Sequence, residues 1–162
     1  EPYRKILILS ERKKQLSDLE ELIKIEKIAD YGYYIGGMKM DDLNISATKQ
    51  IILATFHMSA EGLNIPTLNC LILASPISDI QQSVGRILRE KKEDRKYMPL
   101  CIDIFDDLSV VKNKGYKRLK YYKSKGYLMK NYIENEAIPD REDEEKETLK
   151  NPISLFIDED ED

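Results

Sequence analysis

Four short runs dense in isoleucine and leucine constrain this chain more than any other feature: KILILS at 5–10, QIILAT at 50–55, CLILAS at 70–75 and MPLCIDIF at 98–105. Runs of this length that are apolar toward both faces read as strands buried inside a parallel sheet, because an exposed antiparallel strand alternates instead. Between them lie segments of helical period. Leu16, Leu19, Ile23 and Ile28 place an amphipathic helix over about 11–29, with Ser10 as its cap. Tyr33–Ile35 gives a further short strand that ends on Gly36-Gly37, and residues 40–48 form a short helix or a loop. Ile80, Val84, Ile87 and Leu88 mark a helix over 80–90, and a basic helix runs from 107 to about 127, interrupted at Gly115 and closed near Gly126. Strands alternating with helices imply right-handed crossovers and a mostly parallel sheet covered on both faces: an α/β domain.

Ligands on such a sheet gather at the carboxyl ends of the strands. Ser10, Gly36, Gly37, Thr55 and Ser75 all stand at those positions. At 41% hydrophobic, the 162 residues suffice for one domain over about 1–133. Beyond it, residues 134–162 read as an acidic linker or tail in which ISLFI, 153–157, could dock as a small strand. No apolar run approaches the length of a membrane span, so no membrane partner is expected. The start at Glu1-Pro2 reads as that of a piece cut from a longer chain, or of one that has lost a tag or propeptide. Cys70 and Cys101 sit in apolar runs and read as buried thiols of a soluble protein in a reducing, intracellular compartment.

The net charge of −4 conceals an uneven distribution, since residues 131–162 carry 13 acids and three bases and the rest of the chain is net positive by 6. Lys112 to Lys130 contains eight bases and no acid. That stretch suits a polyanion or simply a solvated face. Its tyrosines, Tyr116, Tyr121, Tyr122 and Tyr127, either stack on bases or dock the helix on the domain; docking is the preferred expectation.

Chemistry-bearing motifs are few. No phosphate-cradling P-loop, G-x-S-x-G, H-E-x-x-H or C-x-x-C is present, and His57 is the only histidine, so neither a complete enzyme nor a metal centre is expected. What stands out is QQSVGRILRE, in which Gln82, Gly85, Arg86 and Arg89 fit Q-x-x-G-R-x-x-R. On a helix, Gln82, Arg86 and Arg89 share a face, and two guanidiniums there can grip a phosphate chain with charge-assisted bonds. An ordinary charged helix also contains Arg-x-x-Arg, but a glycine inside a helix costs about 0.5–1 kcal/mol and calls for a reason, such as close approach of another backbone. The second constellation is ILATFHMSAEGLNIP, 52–66. It is a strand ending at Thr55 followed by a small-residue turn, where Thr55 and Ser59 offer hydroxyls to a phosphate and Gly62 permits close approach. A plain strand–loop–strand connection would look similar.

The ordered set KILILSERKKQL, YYIGGMK, ILATFHMSAEGLNIPTLNCLILASP and QQSVGRILRE resembles motifs four, five and six of the C-terminal RecA-like domain of superfamily-two helicases, over about residues 5–105. The forms GGMK, EGLNIP and QSVGRILR are most similar to helicases of large nucleocytoplasmic DNA viruses, themselves similar to XPB and UvsW types. The resemblance implies a RecA-like fold and an ATP-driven motor domain. It implies that Arg86 and Arg89 are arginine fingers, supported by Gln82, with Gly62 and position 64 close to nucleotide. It implies that Ser10, Arg12, Gly36, Gly37 and Thr55 line the nucleic-acid track, to which the hydroxyl reading above adds Ser59. Asn64 departs from the aspartate common there; the amide keeps hydrogen bonding and loses the charge. ATP and Mg2+ would be held mainly by an N-terminal RecA-like domain that is absent from this sequence. The nucleic acid is expected to be DNA ahead of RNA, and a viral origin would place the protein in host cytoplasm or virion. The competing reading is a non-catalytic binding module acting through the basic helix and acidic tail. Another doubly wound fold is disfavoured, because Asp106-Asp107 is the only acidic pair at a strand end and is read as a cap for the basic helix.

Overall fold

The computed structural model describes residues 4–106, 108–133, 136–138 and 155–156. Its elements run β1 (Ile6–Ser10), α1 (Lys13–Ile25), β2 (Tyr31–Tyr34), α2 (Met40–Thr48), β3 (Ile51–Thr55), α3 (Phe56–Gly62), β4 (Cys70–Leu73), α4 (Gln81–Ile87), β5 (Leu100–Asp103), α5 (Ser109–Ser124), β6 (Asn131–Ile133), β7 (Glu136–Ile138) and β8 (Leu155–Phe156). The principal sheet is ordered β2-β3-β1-β4-β5-β8. Its first five strands are parallel, and β8 closes the β5 edge antiparallel, with Leu155 opposite Cys101. β6 and β7 form a separate hairpin.

Register explains why the strands are apolar on both sides. Leu7 pairs with Ile52 and Leu71, and Leu71 with Cys101, so these side chains share one face. There they pack with Leu43 of α2, Val84 and Ile87 of α4, and Leu119 and Tyr122 of α5. The opposite face carries Ile8, Ile51 and Leu53 against Leu16 and Ile23 of α1. Helices cover both faces, as the pattern implies, but unequally: α1 alone serves the second cluster.

Four local expectations change. Ser10 does not cap α1; the helix begins after Arg12, whose backbone N–H donates to Ser10 Oγ at 2.9 Å in a turn preceding the helix. Residues 56–62 form about two turns of helix where a loop is expected. α4 stops at Ile87, short of Glu90. Gly115 does not interrupt α5, which runs through it. A Cβ at 115 would fall 2.3 Å from the Phe105 ring, so the glycine serves close packing instead of a break. Asp106 Oδ1 accepts from the Leu108 N–H just ahead of α5, whereas the capping expectation for Asp107 lies outside the described residues, as does most of 134–162.

The basic helix docks as preferred. Tyr122 is buried, and Tyr121 packs edge-on against both Tyr122 and Tyr127, at 5.9 and 6.2 Å between centroids. One of its bases is not solvated at all. Arg118 is buried and forms a bidentate pair with Asp103, Nε to Oδ2 and Nη2 to Oδ1, both at 2.7 Å. No helix among the described residues is long and apolar enough to cross a membrane.

Candidate functional site at the carboxyl rim of the sheet

Parallel register brings the strand ends to one rim. Ser10 stands opposite Thr55 across the β1–β3 pair, and Tyr34, which precedes the Gly36-Gly37 turn, stands opposite Ala54. Gly37 has φ of +92°, a conformation open to glycine and costly for other residues, which turns the chain back from β2 toward α2. A Cβ at Gly36 or Gly37 would meet nothing within 4 Å, so this turn is bare surface.

The rim residues divide by accessibility. Ser10 is fully buried: its hydroxyl lies 2.8 Å from Ser75 Oγ and donates to Gln15 Oε1 at 2.6 Å, while Gln15 Nε2 donates to the Ala74 carbonyl. This network ties β1, β4 and α1 together, and Ser10 is a brace beneath the rim. Ser59 is also buried, on the inner side of α3. Arg12 is exposed, Thr55 is half-buried at the N-terminus of α3, and His57 is exposed on the same helix.

The arginine helix docks on the carboxyl end of α3. A helix leaves its last carbonyls without intrahelical partners, and α4 supplies them. Arg86 Nη2 donates to the Ala60 carbonyl at 3.0 Å, Arg86 Nη1 donates to the Leu63 carbonyl, and Gln82 Nε2 donates to the Ala60 carbonyl at 3.3 Å. Cations are favoured at that end by the helix dipole. Gly62, the last residue of α3, accepts from Tyr34 Oη at 3.2 Å, so β2 is joined to the same corner. Arg89, two residues beyond the end of α4, is exposed and donates to Asn64 Oδ1 at 2.8 Å.

This corner is electrostatically incomplete. Arg86 is only 4% exposed, and among the described residues it has no carboxylate partner. Its Nε is buried with no acceptor. Burial, and then the neighbouring Arg89 charge, push the Arg86 guanidinium below its ordinary range. Arg89 is met by an amide, which accepts a hydrogen bond without cancelling charge. Two adjacent cations and an orphan donor favour an anion carrying several oxygens. The same corner does not suit a divalent cation, and no group of three or more His, Cys, Asp or Glu side chains gathers among the described residues. Gly85, exposed between these side chains, has open space where a Cβ would stand, so another surface can come close to the arginine helix.

Arg86 and Arg89 are both expected as fingers; the structure separates them into a buried clasp and an exposed hand. The receiving carbonyls of Ala60 and Leu63 are announced by no side-chain pattern. As a lone acid within an apolar strand, Asp103 called for a buried cation, but nothing in the run of bases singled out Arg118.

No family model matches the chain. It is 43% identical over 136 residues to the protein named ATP-dependent RNA helicase L396 of Acanthamoeba polyphaga mimivirus, covering 82% of this chain and 26% of that one. It is 28% identical over 138 residues to the protein named ATP-dependent RNA helicase QP509L of African swine fever virus, covering 78% and 26%. The chain thus spans about a quarter of the length of these curated relatives. Among solved structures, the C-terminal part of the Fun30 ATPase domain matches with a TM-score of 0.54 at 14% identity over 70% of this chain and 38% of that one. S. cerevisiae Dbp5 bound to RNA and ADP BeF3 matches at 0.53 and 20%, over 75% and 32%. At these identities the two structures speak for the fold alone.

Proposed function

We propose that the chain is the C-terminal RecA-like domain of a superfamily-two helicase, like the viral relatives it matches, and that the α3–α4 corner completes a nucleotide site whose greater part lies on another domain of the full-length protein. The observation that carries this reading is the uncancelled pair Arg86 and Arg89, with an orphan buried Nε and no carboxylate among the described residues.

The residues fit the end of a polyphosphate chain and do not fit its magnesium ion, which assigns ATP binding and Mg2+ coordination mainly to the other domain. ATP, when bound there, supplies the phosphoanhydride whose hydrolysis releases the energy for movement. Within this chain, Arg89 is the exposed cation that meets developing phosphate charge, and Asn64 orients it through the 2.8 Å bond without neutralising it. Arg86 fixes the corner by capping α3 and contributes a second positive charge behind Arg89. Gln82 reinforces the same docking from the α4 side. A preorganised cation of this kind acts because it requires no reorganisation when charge develops in a water-poor cleft. Gly85 leaves the space that domain closure needs.

The nucleic-acid track in this reading crosses the bare Gly36-Gly37 turn, Arg12 and Thr55, with Ser10 and Ser59 bracing it from beneath. The relatives are named as RNA helicases, so RNA takes first place as the polyanion, and the DNA preference expected from the resemblance draws no support from those names. Host cytoplasm, as a compartment, is part of the same proposal and follows only from the viral origin of the relatives.

The test is ATP hydrolysis by the full-length protein alone, with single-stranded RNA and with single-stranded DNA. The reading expects slow basal turnover that RNA accelerates. Acceleration by DNA alone would reassign the track to DNA, and an absence of hydrolysis under every condition would overturn the motor reading.

A further inference from the structure

The segment from Ser75 to Ile80 joins β4 to the arginine helix, and α4 itself has only seven residues. So short a helix takes its direction from what precedes it and from what it lies on. Its docking on α3 fixes one side. The other side is held by α5, in a way the nucleotide corner does not by itself require. Lys114 Nζ donates to the Pro76 carbonyl at 3.1 Å, and Arg118 Nη1 donates to the Ile77 carbonyl at 2.6 Å. The two cations are one helical turn apart, and the two carbonyls are consecutive. The loop therefore cannot slide along α5 without breaking both bonds.

Arg118 is itself immobilised. Its Nε and Nη2 are committed to Asp103 at the end of β5, and Asp103 Oδ2 also accepts from Tyr122 Oη at 3.0 Å. A bidentate pair is complete with those two arms, and the third arm is the one spent on Ile77. Replacing a buried ion pair with well-packed apolar residues is often neutral or stabilising, so what sets this pair apart is the third arm that ties the loop to α5. An apolar pair of similar volume would hold α5 on the sheet equally well and would leave the Pro76–Ile77 loop unguided.

We propose that Lys114 and Arg118 are positioning residues for ATP turnover: through the Pro76 and Ile77 carbonyls, they aim α4 so that Arg89 reaches the phosphate in the closed state. The inference rests on the motor reading above. It predicts a signature in turnover, because a finger displaced by a fraction of an ångström binds nucleotide in the ground state nearly as before and loses contact in the transition state.

The experiment is steady-state ATPase of the full-length protein with saturating RNA, for Lys114→Ala, Lys114→Arg, Arg118→Lys and Arg89→Ala, with melting temperatures and folded fractions measured alongside. Lys114 is partly exposed, at 41% of its side chain, so its removal leaves the core intact. Arg118→Lys retains a cation beside Asp103 but cannot span Asp103 and Ile77 together. The expected result is a kcat lowered about tenfold in Lys114→Ala and further in Arg118→Lys, with KM for ATP within about twofold of wild type. Lys114→Arg, which still reaches the Pro76 carbonyl, recovers most of the rate. Should Arg118→Lys fail to fold, Lys114→Ala decides alone. Unchanged kcat in Lys114→Ala beside an inactive Arg89→Ala overturns the positioning role and spares the motor reading. A loss that vanishes on normalising to folded protein overturns it equally. Normal turnover in Arg89→Ala instead removes the reading beneath it.

Discussion

Arg86 is a cation in the interior whose bonding partners are carbonyl oxygens. Charge-assisted bonds to carbonyls offset part of its desolvation, and the helix end it caps offsets more. Arg86→Ala is therefore expected to loosen the α3–α4 corner. We expect it to lower the stability of the chain by about 1–3 kcal/mol, read as a shift in denaturation midpoint, and to lower turnover as a consequence. Asn64→Ala should differ in kind. Asn64 is exposed, so stability stays close to wild type, while Arg89 loses its orienting acceptor and kcat falls by about tenfold, with nucleotide affinity little changed. Equal stability losses in the two variants would contradict this division. The Q-x-x-G-R-x-x-R spacing made the arginine pair visible in the sequence. Which arginine is the clasp and which the hand was not visible, because the choice depends on where α3 ends, and α3 was not expected to exist. Ser10 and Ser59 were misplaced for a related reason: strand alternation names the rim but not the depth of a side chain below it.

At the scale of elements, three glycine and carboxylate positions give sharp expectations. Gly115→Ala adds helix propensity but drives a methyl into the Phe105 ring. The net effect is destabilisation of about 1–3 kcal/mol, checked by thermal or denaturant unfolding. Gly85→Ala should do the reverse: its Cβ meets open space, so the chain gains about 0.5–1 kcal/mol, while full-length turnover falls if another domain closes over that spot. Higher stability with undiminished turnover would mean that nothing approaches α4 there. The α1–β2 contact carries a pH dependence. Glu20 accepts from Lys24 at 2.8 Å and from the hydroxyls of Tyr33 and Tyr31, both at 2.8 Å. These partners, Lys24 first, lower its pKa from 4.5 to about 2. A carboxylate depressed in the folded state contributes stability above its unfolded pKa and loses it as pH falls through the folded one. The stability difference between wild type and Glu20→Gln should accordingly shrink as pH falls from about 4.5 to about 2, and should shrink with added salt, since the group is near the surface. The helices α1, α4 and α5 and all five parallel strands were legible from period and run length, whereas residues 40–48 were left open between a short helix and a loop and prove to be α2. α3 was not, because seven residues with an apolar start and a small-residue end carry no readable period. The buried Arg118 hid inside a run of lysines for the opposite reason: charge counting treats every base as solvated.

For the whole molecule, the alternation of parallel strands and helices was legible, but the order β2-β3-β1-β4-β5 was not, because right-handed crossovers fix the hand of each connection and leave open which strands pair; that order places Thr55, the Gly36-Gly37 turn, α4 and the α5 clamp around one rim. The unequal cover of the two faces, one helix against four, was not legible, because the sequence fixes which residues are apolar but not which helix lies over which face. The chain spans about a quarter of the length of its curated relatives, so the finger role proposed for Arg89 is tested in the full-length protein. The most direct measurement is kcat for RNA-stimulated ATP hydrolysis by full-length Arg89→Ala, at saturating ATP and with unfolding midpoints in hand. The expected result is a fall of about 10³-fold or more with the midpoint unchanged; turnover within a few fold of wild type would contradict the finger role of Arg89.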